Sequence, residues 1–168
     1  NRVFELSPDG RWLLYSRRLE GDIETPINQL WMVNTTIVGE KPVSTSVQGV
    51  LYAGWSPDGE QVAFTRRQHD HWEVYVVDDD GQNPRRLTTT PKKPNGEVGN
   101  SVAAAWSPDG QYIAFAAEYE DNTDVYVVPV AGGQPQRLTW HPGQDRPVAR
   151  QAYRMVSPLR LIRGEALW

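Results

Sequence analysis

Apolar residues fall along this chain in short blocks, not at helical spacing. Trp12-Leu13-Leu14-Tyr15, Val62-Ala63-Phe64 and Tyr112-Ile113-Ala114-Phe115 are apolar runs without strict alternation. Short runs with no polar face predict strands covered on both sides. A second set, Leu30 to Val33, Val74 to Val77 and Val125 to Val128, is β-branched or aromatic and reads the same way. The blocks recur with a period. "SPDG" stands at 7–10, 56–59 and 107–110, at steps of 49 and 51 residues. In the second and third copies "VYVV" begins 18 residues after the Ser, and the Leu of "RLT" lies 31 after it.

Each copy predicts four short strands. The tetrapeptide joins the first to the second: Pro pre-sets the turn's φ, Asp suits the next position, and Gly supplies the left-handed residue of a type I turn with a bulge. "DDDG" and "AGG" serve the same purpose between third and fourth strands. Asp9, Asp58 and Asp109 are therefore turn residues and not catalytic acids. Sheets with two apolar faces, repeated at this interval, stack around an axis as a β-propeller. The fold class is all-β, as one partial propeller domain over 1–168. Its blades fall at about 2–46, 50–89 and 101–140, and a partial fourth lies at about 148–168, where Ser157-Pro158 begins the motif and Leu159-Arg160 replace Asp-Gly. Phe64 and Phe115 are expected between blades, with Trp55 and Trp106 buried at the ends of first strands.

Three and a half repeats do not close a ring, which needs about four to eight blades. The arc should leave one apolar face bare around Trp12, Leu14 and Trp31, and another beyond Val125 to Val128. Either the chain is part of a larger propeller, or another copy covers those faces. Asn1 begins the chain with no Met and no signal-like segment, which favours a processed chain or a piece of a longer one.

Composition narrows the partners. Hydrophobic residues make up 39% of the chain, including seven Trp, and the 14 Gly and 13 Pro suit a turn-rich fold. A net charge of −4 argues against nucleic acid or an anionic membrane as partner. No apolar run reaches the ~18–20 residues of a membrane span. With no Cys, disulfides and thiolate metal sites are excluded.

The motif W-S-P-D-G-x-x-Φ-A-F, followed by Φ-Y-V-V and G-x-x-P-x-R-L-T, resembles the WD-repeat-like propeller family of TolB. The same repeats form the N-terminal propellers of tricorn-type and prolyl-oligopeptidase-type peptidases. The resemblance covers about residues 3–160, and "RLTWHPGQDRPVA" at 137–149 is similar to tricorn-type linkers. A further W-S-P-D-G would be expected after it, but "RQAYRMVSPLR" stands there. The resemblance implies the propeller fold and a periplasmic or extracytoplasmic setting. On function it allows binding scaffolds and peptidase gates alike.

Strand order puts the SPDG and Gly turns at one end, and the second-to-third loops and blade linkers at the other. Only the second end varies in length and polarity, so it is the candidate binding face. His69-x-His71 with Asp70 lacks a third ligand at useful spacing, so no metal is assigned. Asp78-Asp79-Asp80-Gly81 lacks the alternating oxygens of a calcium loop. Arg17-Arg18 and Arg66-Arg67, at equivalent strand ends, read as solvated ends or as a basic ledge for a partner's carboxylates. Trp72 and Tyr119 join His69 and His71 as candidate binding residues, as do His141 and Asp145 in the last linker. No G-x-S-x-G is present, and no Ser accompanies His141 and Asp145 in a nucleophile elbow. The expectation is a non-catalytic module, without cofactor, that binds protein or peptide. The alternative is the propeller of a peptidase whose catalytic domain lies outside these residues.

Overall fold

The apolar blocks pair as antiparallel strands in three four-stranded sheets. A computed structural model describes residues 2–18, 28–43, 49–93, 95–120 and 122–140. The first sheet runs β1 (Arg2–Leu6), β2 (Trp12–Arg18), β3 (Asn28–Asn34) and β4 (Glu40–Pro42) in spatial order. The second runs β5 (Val50–Trp55), β6 (Gln61–Gln68), β7 (His71–Asp78) and β8 (Arg85–Arg86). The third runs β9 (Ser101–Trp106), β10 (Tyr112–Ala117), β11 (Asp124–Pro129) and β12 (Gln136–Arg137). These are three blades of a partial β-propeller, as the repeat predicts. The expected partial fourth blade lies outside the described residues.

Register decides which residues meet the neighbouring blade. Phe64 lies opposite Tyr75 and Phe115 opposite Tyr126, and each pair stacks, with ring centroids 5.7 and 5.9 Å apart. Because side chains alternate along a strand, Val62, Phe64, Tyr75 and Val77 share one face of the middle blade. They pack with Leu14, Leu30, Met32 and Val43 of the first blade. The opposite face, with Ala63, Val74, Val76 and Leu87, packs with Ile113, Phe115, Tyr126 and Val128 of the third. Trp55 and Trp106 are buried within these two seams, as expected. Trp106 Nε1 donates across its seam to the Gly54 carbonyl at 3.1 Å. Val74 to Val77 are all buried because both sides of the middle blade are covered. In the flanking strands β2 and β11 burial alternates instead.

That alternation corrects one expectation. Leu14 and Trp12 do not lie on the bare face with Trp31. Leu14 is fully buried in the first seam, and Trp12 packs against that cluster. Tyr15, not Leu14, lies opposite Trp31, so the outward face of the first blade carries Leu13, Tyr15, Trp31 and Val33. All four are half-buried.

The SPDG turns confirm their assigned role and show what the Ser does. In each, the Gly amide donates to the Ser carbonyl at 2.8–3.0 Å, and the Gly has φ between +70° and +77°. The Ser hydroxyl donates to the Asp carboxylate at 2.6, 2.5 and 2.5 Å. The same Ser oxygen accepts the amide five residues on, at 2.9 Å each time. The Asp also accepts the amide of the residue after Gly at 3.0 Å. These donors hold all three carboxyls below the usual range, the Ser hydroxyl contributing most. Each turn thus satisfies its own polar groups.

Candidate functional site

At the opposite end the side chains bond across the seam between the second and third blades. The β6–β7 connection is the pair His69-Asp70, with His69 exposed at φ +57°. His71, one residue on, is held between two carboxylates. Its Nδ1 lies 3.0 Å from Asp70 Oδ1, and its Nε2 lies 3.2 Å from Glu73 Oε1. The contact with His71 holds the Asp70 carboxyl below its usual range.

Glu73 is fully buried, which requires a complete set of partners. The Thr90 amide donates to its Oε1 at 2.8 Å, and the hydroxyls of Thr88 and Thr90 both donate to its Oε2. Thr90 Oγ1 lies 2.9 Å from Ser101 Oγ, and the Ser101 hydroxyl reaches Tyr119 at 3.5 Å. A continuous polar chain therefore runs from His71 through Glu73, Thr90 and Ser101 to Tyr119. Burial pushes the Tyr119 phenol up to about 12. Its ring packs 4.6 Å from that of Tyr126 and 6.3 Å from that of Phe115, tying the loop to the core.

Lys93, Gly99 and Asn100, which precede β9, add contacts at this end. The Trp72 amide donates to Asn100 Oδ1 at 3.1 Å, and Asn100 Nδ2 donates to Glu118 at 3.3 Å. Lys93 Nζ stands 3.9 Å from the same Glu118 carboxylate. Gly99 permits the approach, because a Cβ there would fall 1.9 Å from the Glu118 carbonyl oxygen.

The structure thus links His71, Trp72 and Tyr119 of the expected set, with His69 in the adjoining turn. The four arginines do not form a single ledge. Arg17 and Arg66 stack on the aromatics of the third strands, 4.8 Å from the Trp31 ring and 5.3 Å from the Tyr75 ring. Arg17 also donates to Glu40 at 2.6 Å, and the Tyr15 hydroxyl donates to the other oxygen of Glu40 at 2.6 Å. Arg18 and Arg67 are exposed, and Arg67 Nε donates to the His69 carbonyl at 3.1 Å. Asp78 is occupied as a turn acceptor, taking donors from Gln61 and Asn83 at 3.0 and 2.8 Å. His141 and Asp145 lie outside the described residues.

Sequence reasoning missed Glu73, Thr88, Thr90 and Ser101, though a signal for the first two repeats. An acid precedes "VYVV" in both later copies, and a Thr follows the Leu of "RL". In the third blade Thr139 donates to the buried Asp124 at 3.0 Å and accepts the Val125 amide at 3.0 Å. Thr88 accepts the Val74 amide at 2.9 Å in the same way. The acid and the Thr together pin the fourth strand to the third.

Among the described residues no group of three or more His, Cys, Asp or Glu is placed to hold a metal ion. No helix there is long and apolar enough to cross a membrane.

The sequence matches the family model of the TolB beta propeller domain over residues 4–150. The Tol-Pal system protein TolB of Anaeromyxobacter dehalogenans (strain 2CP-C) is 31% identical over 108 residues, 64% of this chain and 23% of that protein. The solved structure of a putative TolB from Agrobacterium tumefaciens aligns with a TM-score of 0.67 at 24% identity, over 81% of this chain and 45% of that one. A puromycin-hydrolyzing peptidase of Mycobacterium tuberculosis aligns with a TM-score of 0.62 at 18% identity, over 82% of this chain and 23% of that one. At those identities the two structures speak to the fold alone. The chain spans less than half the length of each of these three proteins.

Proposed function

This chain belongs to the TolB β-propeller domain family, and we propose on that premise that it is a non-catalytic module binding protein or peptide segments across the loop end of its blades. The contrast between the two ends carries this reading. The SPDG end repeats one self-satisfied turn in every blade, which leaves little for a partner to read. The loop end holds unrepeated polar and aromatic groups, His71, Trp72, Lys93, Glu118 and Tyr119, on a rigid seam. Fixed scaffolds with variable loops are how repeat folds present binding surfaces.

The geometry of His71 supports the non-catalytic half. Both of its ring nitrogens are taken up by carboxylates, which leaves neither aimed at a nucleophile. A propeller belonging to a peptidase remains the second reading, since the family's fold also occurs in the mycobacterial peptidase and most of that chain lies beyond the match. The purified chain should hydrolyse no peptide or ester. Turnover that survives repurification and vanishes in His71→Ala or His141→Ala would overturn the non-catalytic reading. A random peptide library selected on the immobilised chain should enrich ligands that slow amide exchange at Trp72, Asn100 and Glu118. Ligands that protect the SPDG turns instead, or no enrichment at all, would overturn the assignment of the face.

A further inference from the structure

One arginine at the loop end is held in place as a donor and has nothing to donate to. Arg66, near the end of β6, is half-buried, and its guanidinium lies 5.3 Å from the centre of the Tyr75 ring. Among the described residues its Nε is buried without a hydrogen-bond partner, and no carboxylate stands within ion-pair distance of the group. Buried donors are nearly always satisfied, so an orphan of this kind marks a bond that the fold does not make for itself. Glu73 is paired with Arg66 across the ladder, but its oxygens are taken by Thr88, Thr90 and His71. Gln68, two residues on, shares the face of Arg66. Its Oε1 accepts the Tyr75 hydroxyl at 3.0 Å, which leaves its NH2 group as a second donor. One tyrosine thus orients both groups, the guanidinium by its ring and the carboxamide by its hydroxyl.

The first blade shows what such an arginine holds. Arg17 occupies the position of Arg66 in the repeat and lies 4.8 Å from the ring of Trp31, the counterpart of Tyr75. There Arg17 Nη1 donates to Glu40 Oε1 at 2.6 Å, and the other Glu40 oxygen takes the Tyr15 hydroxyl. Two donors close on one carboxylate. Glu40 is paired with Val33, the counterpart of Val77. One step beyond the pair of Val76 and Arg85, the matching position in the second blade is Pro84. Phe64 stands where Tyr15 does and carries no hydroxyl. The second blade therefore keeps the arginine on its ring, lacks the built-in acid, and offers Gln68 as the other donor. We propose that Arg66 and Gln68 form a carboxylate-binding site, which takes an acidic side chain or the free C-terminus of a peptide laid across the loop end. The site rests on the reading of that end as the binding face. A carboxylate on a guanidinium makes charge-assisted bonds that are roughly twice as strong as neutral ones and often bidentate.

Acetate probes the site alone. In the isotope-labelled 168-residue chain, the NMR signal of the Arg66 Nε–H should shift saturably as acetate replaces chloride at constant ionic strength. The same signal of Arg17, already held by Glu40, should not. Two peptides then separate the sources of the carboxylate. Acetyl-Gly-Asp-Gly-amide carries it on a side chain only, and acetyl-Gly-Gly-Gly with a free end carries it at the terminus only. At least one should bind saturably, followed at the backbone amides of β6, and the amidated all-glycine peptide should not. Arg66→Gln should lose the saturation, and Gln68→Ala should weaken the responding peptide by about tenfold. Where Arg66→Gln alters the fold, Gln68→Ala alone decides. An Arg66 signal that moves no more than that of the exposed Arg18, or peptides that bind both variants as they bind wild type, would overturn the proposal. Library ligands that protect Trp72, Asn100 and Glu118 equally in Arg66→Gln would sink the carboxylate site and leave the binding face standing. Acetate held at Arg66 by a chain that enriches no library ligand would keep the site and overturn the face.

Discussion

Truncating Phe115 to Ala removes a ring that is 2% exposed, stacked on Tyr126 and touching Tyr119 within the second seam. The lost transfer free energy and the cavity left behind predict a cost of about 3–5 kcal/mol. Phe64, fully buried and stacked on Tyr75 in the first seam, should cost the same. Tyr15 occupies the same repeat position but faces outward from the first blade, half-buried, with its hydroxyl on Glu40. Tyr15→Ala should therefore cost only about 1–2 kcal/mol, the ordinary range for a partly covered site. With a urea dependence of about 2 kcal/mol per molar, the Phe losses move the midpoint by about 2 M and the Tyr loss by less than about 1 M. The assay is urea unfolding followed by Trp fluorescence, at a concentration where the chain is monomeric. Phe115→Leu serves as a milder variant that keeps the ranking measurable. An unchanged midpoint in Phe115→Ala, or a Tyr15→Ala loss as large as the Phe losses, would refute the assignment of faces.

Glu73→Ala leaves the Thr90 amide and two Thr hydroxyls without their acceptor and should cost about 3 kcal/mol in thermal unfolding, with Glu73→Gln recovering part of it. Gly81 has φ +84°, and a Cβ there would lie 2.9 Å from the Val43 carbonyl oxygen, so Gly81→Ala should lower the unfolding free energy measured in urea by more than about 1 kcal/mol. Asp9, Asp58 and Asp109 have depressed folded-state pKa values, so the stability they add is present above the ordinary carboxyl pKa near ~4 and is lost as pH falls through the lowered values. Unfolding midpoints measured from neutral to acid pH should show that fall, and Ser56→Ala, which removes the main cause at Asp58, should make it shallower.

The three described blades were legible because three turns share one tetrapeptide and the chemistry of that turn is local. Trp55 and Trp106 were legible as core because they end the first strands of the repeat, and Phe64 and Phe115 because their blocks are apolar on both faces. The same property hid the orientation of the first blade. In Trp12-Leu13-Leu14-Tyr15 every residue is apolar, so the sequence offers no polar face to set the parity, and only the pairing of Tyr15 with Trp31 reveals it. The loop end was placed correctly by strand order, and His71, Trp72 and Tyr119 lie within it. The groups that join them were not legible, since Glu73 is a charged residue that becomes buried only through Thr88, Thr90 and His71, and two of these lie 15 and 17 residues away. The arginines share positions in the repeat, which left solvated strand ends and a basic ledge both open. Stacking on Trp31 and Tyr75 turns Arg17 and Arg66 to the ring faces and separates them from Arg18 and Arg67.

Residue-resolved amide hydrogen exchange tests the stacked-blade account most directly. The middle blade is covered on both sides, so at a concentration where the chain is monomeric Val62 to Thr65 and Val74 to Val77 should be the slowest amides to exchange. β2, β3, β10 and β11 should follow, with β1, β4, β8 and β12 fastest among the strands. Middle-blade amides that exchange as fast as those of β2 and β11, or faster, would contradict the stacking.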